Sequence, residues 1–341
     1  VIAIEPTSGH ALRRRPPYLG ANADPDASLA WIAAGTSRRG ITLDVDRPEG
    51  RTLLHRLCER ADAVIDTSPP GRIEELGLGE AERAARFPRL VVCSVTPFGA
   101  TGPRAGWRAT DLSALAASGN LYSTGDPERA PVRCSLPTSY FHAGLEAVLA
   151  VLMALLARRA SGRGQRIDIS LQEVMLMPNI SQSAQFPLTG NRGARAGSGY
   201  RAGKTFQPEI WRCADGWVSF ALRGGAARVP GLVALVEWMR EESKTAPCLE
   251  RDWKAYNHNL LTQDDVDEMM KAFGAFFASK TIAELYRAAV DRRLMLAPIN
   301  DPAAILASAQ LAARNFFVAI DEPHLGTSIC HPGKIARTLP D

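Results

Sequence analysis

Residues 87–95 read Phe87-Pro-Arg-Leu-Val-Val-Cys-Ser-Val95, and the fold turns on them. Leu90 to Val95 is a nearly continuous apolar run with three valines, short and bounded by Pro88 and Pro97. A strand buried on both faces reads this way. Upstream, Glu80 to Arg86 reads as a short helix and Ala63-Val64-Ile65 as another apolar strand. Further out, Gly50 to Ala61 sets Leu53, Leu54, Leu57, Cys58 and Ala61 on one helical face. Val1 to Glu5 is one more short strand. Apolar strands alternating with helices predict an α/β fold with a mostly parallel sheet covered on both faces.

Downstream the pattern becomes helix-rich. Asp111 to Ser118 starts a helix that Gly119 stops. Phe141 to Arg159 predicts a long buried helix, with Arg158 and Arg159 at the end where its dipole favours cations. Ser161 to Gln165 turns the chain, and Arg166 to Leu171 alternates as a strand should. From Ser181 to Lys204, glycines scattered among Arg, Ser and Asn predict a linker. Beyond it, Ala214-Asp-Gly216 between two apolar runs predicts a hairpin. Helices follow from near Thr262, from Thr281 with Glu284 completing a capping box, and from Asp301 with Pro302 in the first helical position.

The 341 residues suffice for about two domains. A net charge of +4, spread without a Lys/Arg block, excludes a nucleic-acid tail and hints at an anionic ligand. The six cysteines are far apart, so no disulfide framework or zinc site is expected, and the compartment reads as reducing, hence cytoplasmic. The six histidines show no metal-ligating spacing, and no metal is expected. Leu145 to Ala157, the longest apolar run, is interrupted by Glu146 and is too short to span a bilayer, so no membrane is expected. Val1 lies inside a strand pattern, so a short preceding piece is expected. Gly99, Gly102 and Gly106 do not have dinucleotide-loop spacing, and there is no Walker A or GxSxG motif.

A set of segments in chain order carries a resemblance. Val1 to Pro6 resembles a "VIKIEP" strand, Ser37 to Asp44 resembles "GKRSVTLDL", and Pro48 to Arg51 matches "PEGR". Ala61 to Gly71 resembles "ADVVVENFRPG", Leu76 to Leu78 matches "LGL", and Phe87 to Ser94 resembles "NPRLVYCS". Phe98 to Pro103 resembles "FGQTGP", Gly162 to Leu171 matches "GRGQxVDVSL", and Gly326 to Gly333 fits "LGTVRxPG". On these segments the chain is identified as a member of the class III CoA-transferase family, which includes formyl-CoA transferase, carnitine dehydratase and α-methylacyl-CoA racemase types.

The resemblance implies a large Rossmann-like CoA-binding domain over residues 1–183 and a Gly-rich linker over 184–205. A small α+β domain over 206–300 and a C-terminal segment, 301–341, returning to the large domain complete it. It implies interlocked subunits, coenzyme A or acyl-CoA as substrate, and a carboxylic acid as second substrate. The transferases pass through an aspartyl anhydride and an aspartyl-CoA thioester. The family's Asp aligns with Tyr140, through Leu136-Pro-Thr-Ser-Tyr140 and through Gly144 in the following helix. A phenol cannot form that anhydride, and Glu146 lies about two turns further along.

The remaining implied positions follow from the same alignment. Asp111 matches an acidic position beside the nucleophile, and Thr110 stands where racemases carry His. His142 and Tyr140 are the other candidates for acid–base work or for hydrogen bonding a thioester carbonyl. For the nucleotide end the resemblance implies Arg38 and Arg39, then Thr67, Ser68, Gly71 and Arg72 in the turn after the second strand, and Arg108. Glu75 stands where relatives carry a cation. Gly224 and Gly225 resemble a glycine-rich lid, and a plain turn is the alternative. The chain is therefore expected to be a CoA-transferase with an altered active site. The alternatives are a non-catalytic subunit of a heteromeric transferase and, third, an acyl-CoA racemase or dehydratase. The assembly is expected to be a homodimer or a heterodimer with a homologous subunit.

Overall fold

The computed structural model describes residues 1–202 and 205–337. Gly203 and Lys204, at the end of the stretch read as a linker, and residues 338–341 lie outside them. The chain begins with β1 (Ile2–Glu5), α1 (Leu29–Gly35), β2 (Arg39–Thr42), α2 (Pro48–Cys58), β3 (Ala63–Asp66), α3 (Arg72–Glu75), α4 (Glu80–Arg86) and β4 (Val91–Thr96). It continues through α5 (Asp111–Ala117), α6 (Thr138–Ser161), β5 (Arg166–Ser170), α7 (Leu171–Leu176), α8 (Ile180–Thr189), β6 (Gly199–Ala202), β7 (Thr205–Pro208), β8 (Ile210–Cys213) and β9 (Gly216–Phe220). Last come α9 (Val229–Glu241), α10 (Gln263–Ala278), α11 (Ile282–Asp291), β10 (Leu296–Pro298), α12 (Pro302–Leu306), α13 (Ala309–Ala313), β11 (Phe317–Glu322) and β12 (Thr327–Pro332).

Two compact units result. The first holds Val1–Thr110, Ser139–Val174 and the segment from Pro302 onward, and the second holds Asp111–Thr138 and Met175–Asp301. In the first, β4 lies between β3 and β5 with both pairings parallel, and β1 pairs with β2, also parallel. The fold is α/β, as the run at residues 90–95 predicts. Period-two alternation explains why the first half of β4 is apolar on both faces. Val92 packs with Leu54, Cys58, Ile73 and Phe87 on one face, while Val91 and Cys93 pack with Ala147, Val151 and Ala154 on the other.

The helix α6 departs from expectation. Its 24 residues exceed the apolar run that suggested it, and by length and composition it could cross a membrane. It is not buried all round. Ser139, Ala143, Ala147, Val151 and Ala154 form the buried row, small enough to lie close against the sheet. The opposite row, Phe141, Leu145, Val148, Leu149, Leu152, Met153 and Leu156, is exposed along its whole length. Helical spacing separates the two rows, which a composition-based reading could not do.

The linker region departs too. Residues 180–189 are the helix α8, and Gly199–Ala202 is a strand paired with β7. Gln, Ala and Leu there are good helix formers. Gly190, at φ 67°, ends the helix, and its N–H reaches the Phe186 carbonyl at 2.9 Å.

In the second unit β10, β9 and β8 form an antiparallel sheet, including the hairpin expected around residue 215. Its core is aromatic, with Trp211, Phe220, Phe273, Phe276 and Phe277 buried together. Both flanking helices begin at capping boxes, Thr262 with Asp265 and Thr281 with Glu284.

Buried Glu5, at the end of β1, fixes the segment that follows. It accepts hydrogen bonds from Arg13 Nε at 2.6 Å and Nη2 at 2.8 Å, and from the His10 N–H at 2.9 Å. The Arg13 guanidinium holds its carboxyl down to about 2, from an ordinary 4.5. A carboxylate depressed in the folded state stabilises it above the unfolded pKa, and that contribution fades as pH falls toward the folded value. Wild type is therefore expected to exceed Glu5→Gln by on the order of 2 kcal/mol at neutral pH, with the gap closing between about pH 5 and about pH 2. Urea unfolding at stepped pH measures it, and a gap that persists unchanged in acid would refute the assignment.

Candidate functional site

The carboxyl ends of parallel strands are where open α/β sheets bind ligands. The turn after β3 holds Thr67 and Ser68, with the Ser68 N–H on Asp66 Oδ1 at 3.2 Å. Gly71, at φ 93°, turns the chain into α3. Arg72 is paired with Glu75 at 2.9 Å and also with Asp46. Its charge is thus already answered within the chain, and Glu75 serves as its partner. The loop after β4 carries Gly99 and Gly102, both left-handed, and is pinned where the Ala100 N–H donates to Asp168 Oδ2 at 2.8 Å. Asp168 belongs to β5, so the "GRGQxVDVSL" match contributes a loop anchor that the sequence reading did not assign. Arg108, after this loop, is exposed.

Arg38 and Arg39 enter β2 on an exposed edge. The Arg38 guanidinium lies 5.6 Å from the Trp31 ring centroid and the Arg13 guanidinium 4.2 Å from it. Glu5 fixes Arg13, Arg13 lies over Trp31, and Trp31 in turn supports Arg38. Trp31 carried no signal in the sequence.

The end of α6 fixes its direction. Arg158 donates to the Asp62 carboxylate at 2.6 Å and to the Arg89 carbonyl at 2.9 Å, residues that immediately precede β3 and β4. The C-terminus of α6 therefore sits at the amino ends of the strands, and its N-terminus points to their carboxyl ends. At 1.5 Å per residue α6 is about 36 Å long, whereas a six-residue strand spans about 20 Å, so the first turns of α6 overhang the sheet.

Tyr140 opens that overhang. It precedes Ala143, Ala147, Val151 and Ala154 by helical steps and so lies on the sheet-facing row, with 44% of its surface exposed. His142 and Glu146 fall instead on the outward side, with Leu145, Leu149 and Met153. His142 meets Phe141 edge to face at 6.3 Å. Tyr140 and His142 thus face different ways and do not form a pair. Asp111, 7% exposed, opens α5 in the second unit, whereas Tyr140 belongs to the first.

Gly224 and Gly225 follow β9 in the second unit. A Cβ on Gly224 would come within 2.8 Å of the Tyr256 carbonyl oxygen, so close backbone approach requires glycine there, and Gly225 is left-handed at φ 105°. Arg223 is held by Glu209 and lies 4.0 Å over the Tyr200 ring. A cavity of about 480 Å³ in this unit is lined by Ser118, Tyr122, Asn179, Gln182, Phe186 and Arg192, among others. None of the residues chosen from the sequence lines it. Burial pushes the thiols of Cys58, Cys93 and Cys248 up to about 11, which removes them as nucleophiles.

Three comparisons place this arrangement among known proteins. The model of a family described as CoA-transferase family III matches residues 1–338. The chain is 31% identical over 337 residues to succinyl-CoA:(R)-benzylsuccinate CoA-transferase subunit BbsE of Thauera aromatica, covering 98% of this chain and 80% of that one. It is 27% identical over 339 residues to the succinyl-CoA–L-malate CoA-transferase beta subunit of Chloroflexus aurantiacus, covering 99% and 80%. The crystal structure of a CAIB/BAIF family protein from Brucella suis superposes with a TM-score of 0.79 at 24% identity, over 99% of this chain and 84% of that one, a likeness of fold.

Proposed function

The chain belongs to CoA-transferase family III, and from that premise we propose that it is one subunit of a two-chain CoA-transferase whose partner carries the nucleophilic carboxylate. The observation that carries the proposal is Tyr140 at the head of α6, the position that the resemblance aligns with the family's nucleophilic acid. In such a transfer a carboxylate attacks the thioester carbonyl and CoA leaves as thiolate. The thiolate attacks the protein carbonyl of the anhydride, giving a protein-CoA thioester and the free donor acid. The acceptor carboxylate then displaces CoA from that thioester and receives it from the second anhydride as the protein carboxylate is freed. A phenol would form an aryl ester and not an anhydride, and cannot play that part.

Several relatives, of which this chain covers about four fifths, carry subunit names, among them both chains of the succinyl-CoA–L-malate enzyme. A homologous subunit would cover the exposed apolar row of α6. Arg38 on its Trp31 support, Arg39 and the turn at Thr67, Ser68 and Gly71 would contribute to holding the nucleotide end of CoA. An acyl-CoA and a carboxylic acid are the substrates this implies. The cysteines, free among the described residues, agree with a reducing cytoplasm.

A single-chain enzyme with an altered site is the second reading, favoured by the Arg38 arrangement and the glycine loop. The racemase or dehydratase reading ranks third, because Tyr140 and His142 lie on opposite sides of α6.

Purified chain, supplied with succinyl-CoA and a panel of dicarboxylic acids, should be inactive alone. Adding a homologous chain with Asp at the position of Tyr140 should raise transfer by at least about 10³-fold, the scale on which losing a nucleophile acts. Transfer by this chain alone at the rate of the mixture would overturn the proposal and leave the single-chain reading.

A further inference from the structure

The turn after β9 is held at two points by one neighbouring segment, both within the second unit. The Tyr256 hydroxyl donates to the Leu222 carbonyl at 2.7 Å. The Gly224 N–H donates to His258 Nδ1 at 3.0 Å. The segment is itself tethered, because Gln207 Nε2 donates to the His258 carbonyl at 3.3 Å. The Tyr256 contact is indifferent to pH, since burial raises that phenol's pKa further above neutrality. The His258 contact is not indifferent, because Nδ1 accepts a hydrogen bond only while it carries no proton.

We propose that His258 is the positioning residue of the Arg223-Gly224-Gly225 loop, a latch that neutral imidazole closes and imidazolium opens. Opening leaves the loop tied at Leu222 and, through Arg223, at Glu209, and releases the Gly224 N–H beside left-handed Gly225. The charged groups around the ring are Arg223 and Arg228, with Glu209 engaged by Arg223. Burial and the two cations hold the His258 pKa below its ordinary 6.5, so the latch stays shut at neutral pH and opens in acid. That the loop covers a thioester rests on the function proposed above, whereas the latch rests on these contacts alone.

The test is amide hydrogen exchange of the full chain, read by mass spectrometry on peptides spanning residues 222–226 and corrected for the chemical exchange rate. In wild type, protection at Gly224 should drop roughly fivefold between about pH 7.5 and about pH 5, the worth of one hydrogen bond. The Oδ1 of Asn stands where Nδ1 of His stands and does not titrate. His258→Asn should therefore stay protected at both values, and His258→Ala should be unprotected at both. An acid loss in His258→Asn equal to that of wild type, or full protection at neutral pH in His258→Ala, would overturn the latch. Adding CoA at neutral pH examines the cover separately. Slower exchange supports a loop over the ligand, and unchanged exchange removes that role while leaving the latch intact.

Discussion

A Leu149→Asp, Leu152→Asp double variant should fold with native secondary structure, fail to associate with any homologous subunit, and lose at least about 10³-fold of the activity of the assembled transferase. Both side chains lie on the outward row of α6 and are more than half exposed in the chain by itself. Charges there cost the isolated fold almost nothing, since no core neighbour is displaced. In an assembly the same positions become buried. Desolvating an unpaired carboxylate costs several kcal/mol, and two of them act on one interface. The apolar row they interrupt would itself contribute about 1 kcal/mol or more per covered side chain. Sedimentation equilibrium with the homologous partner, beside far-UV circular dichroism, separates assembly from folding. A variant that remains associated with unchanged affinity would show that α6 faces something other than a subunit.

That face also shows where the sequence stops being informative. An apolar run such as Leu145 to Ala157 says that its side chains leave water, but one chain cannot say which partner covers them. The structure divides the run by rotation about the helix. Ala147, Val151, Ala154 and half-buried Leu155 meet the sheet, and Leu145, Val148, Leu149, Leu152, Met153 and Leu156 point away. The parallel sheet was legible because β4 is apolar on alternate residues for two different cores, and only a strand covered on both sides needs that. The helix α8 was not legible, because Pro187 and the glycines beyond it dominate the texture of its neighbourhood.

For the candidate site the sequence named positions, and the structure adds what surrounds each of them. The aligned segments place Tyr140, the turn after β3 and the glycine loop on the chain. They could not show that Arg72 is committed to Asp46 and Glu75, or that His142 points away from Tyr140. Those facts depend on rotation about a helix and on side chains that meet across tens of residues, neither of which a motif encodes. His258 and Trp31 gave no signal, since each acts only through a neighbour that folding delivers.

Glycines in a family motif are easily taken for ligand contacts, and Gly164 shows why the inference needs coordinates. It sits in the turn between α6 and β5, with its N–H on the Pro88 carbonyl at 2.8 Å. A Cβ there would lie 2.0 Å from the Leu90 carbonyl oxygen and 2.4 Å from its carbon. Both atoms are backbone at the entry of β4, and Leu90 is packed in the core with Leu54 and Phe87. No side-chain rotation relieves such an overlap, so the start of the central strand must move. Gly164→Ala should therefore cost about 3 kcal/mol or more and lower the melting temperature by roughly 4 °C or more. Gly162, two residues earlier in the same turn, is the control. It is left-handed at φ 71°, yet nothing lies within 4 Å of the added Cβ. Gly162→Ala should cost only the backbone strain, about 1 kcal/mol. Chemical denaturation of the two variants side by side measures the difference. Equal losses would mean that turn conformation, rather than the approach of two backbones, fixes glycine at 164. A small loss at 164 would require β4 to be far more yielding than a strand with cores on both faces should be, because each shift that relieves one face disturbs the other.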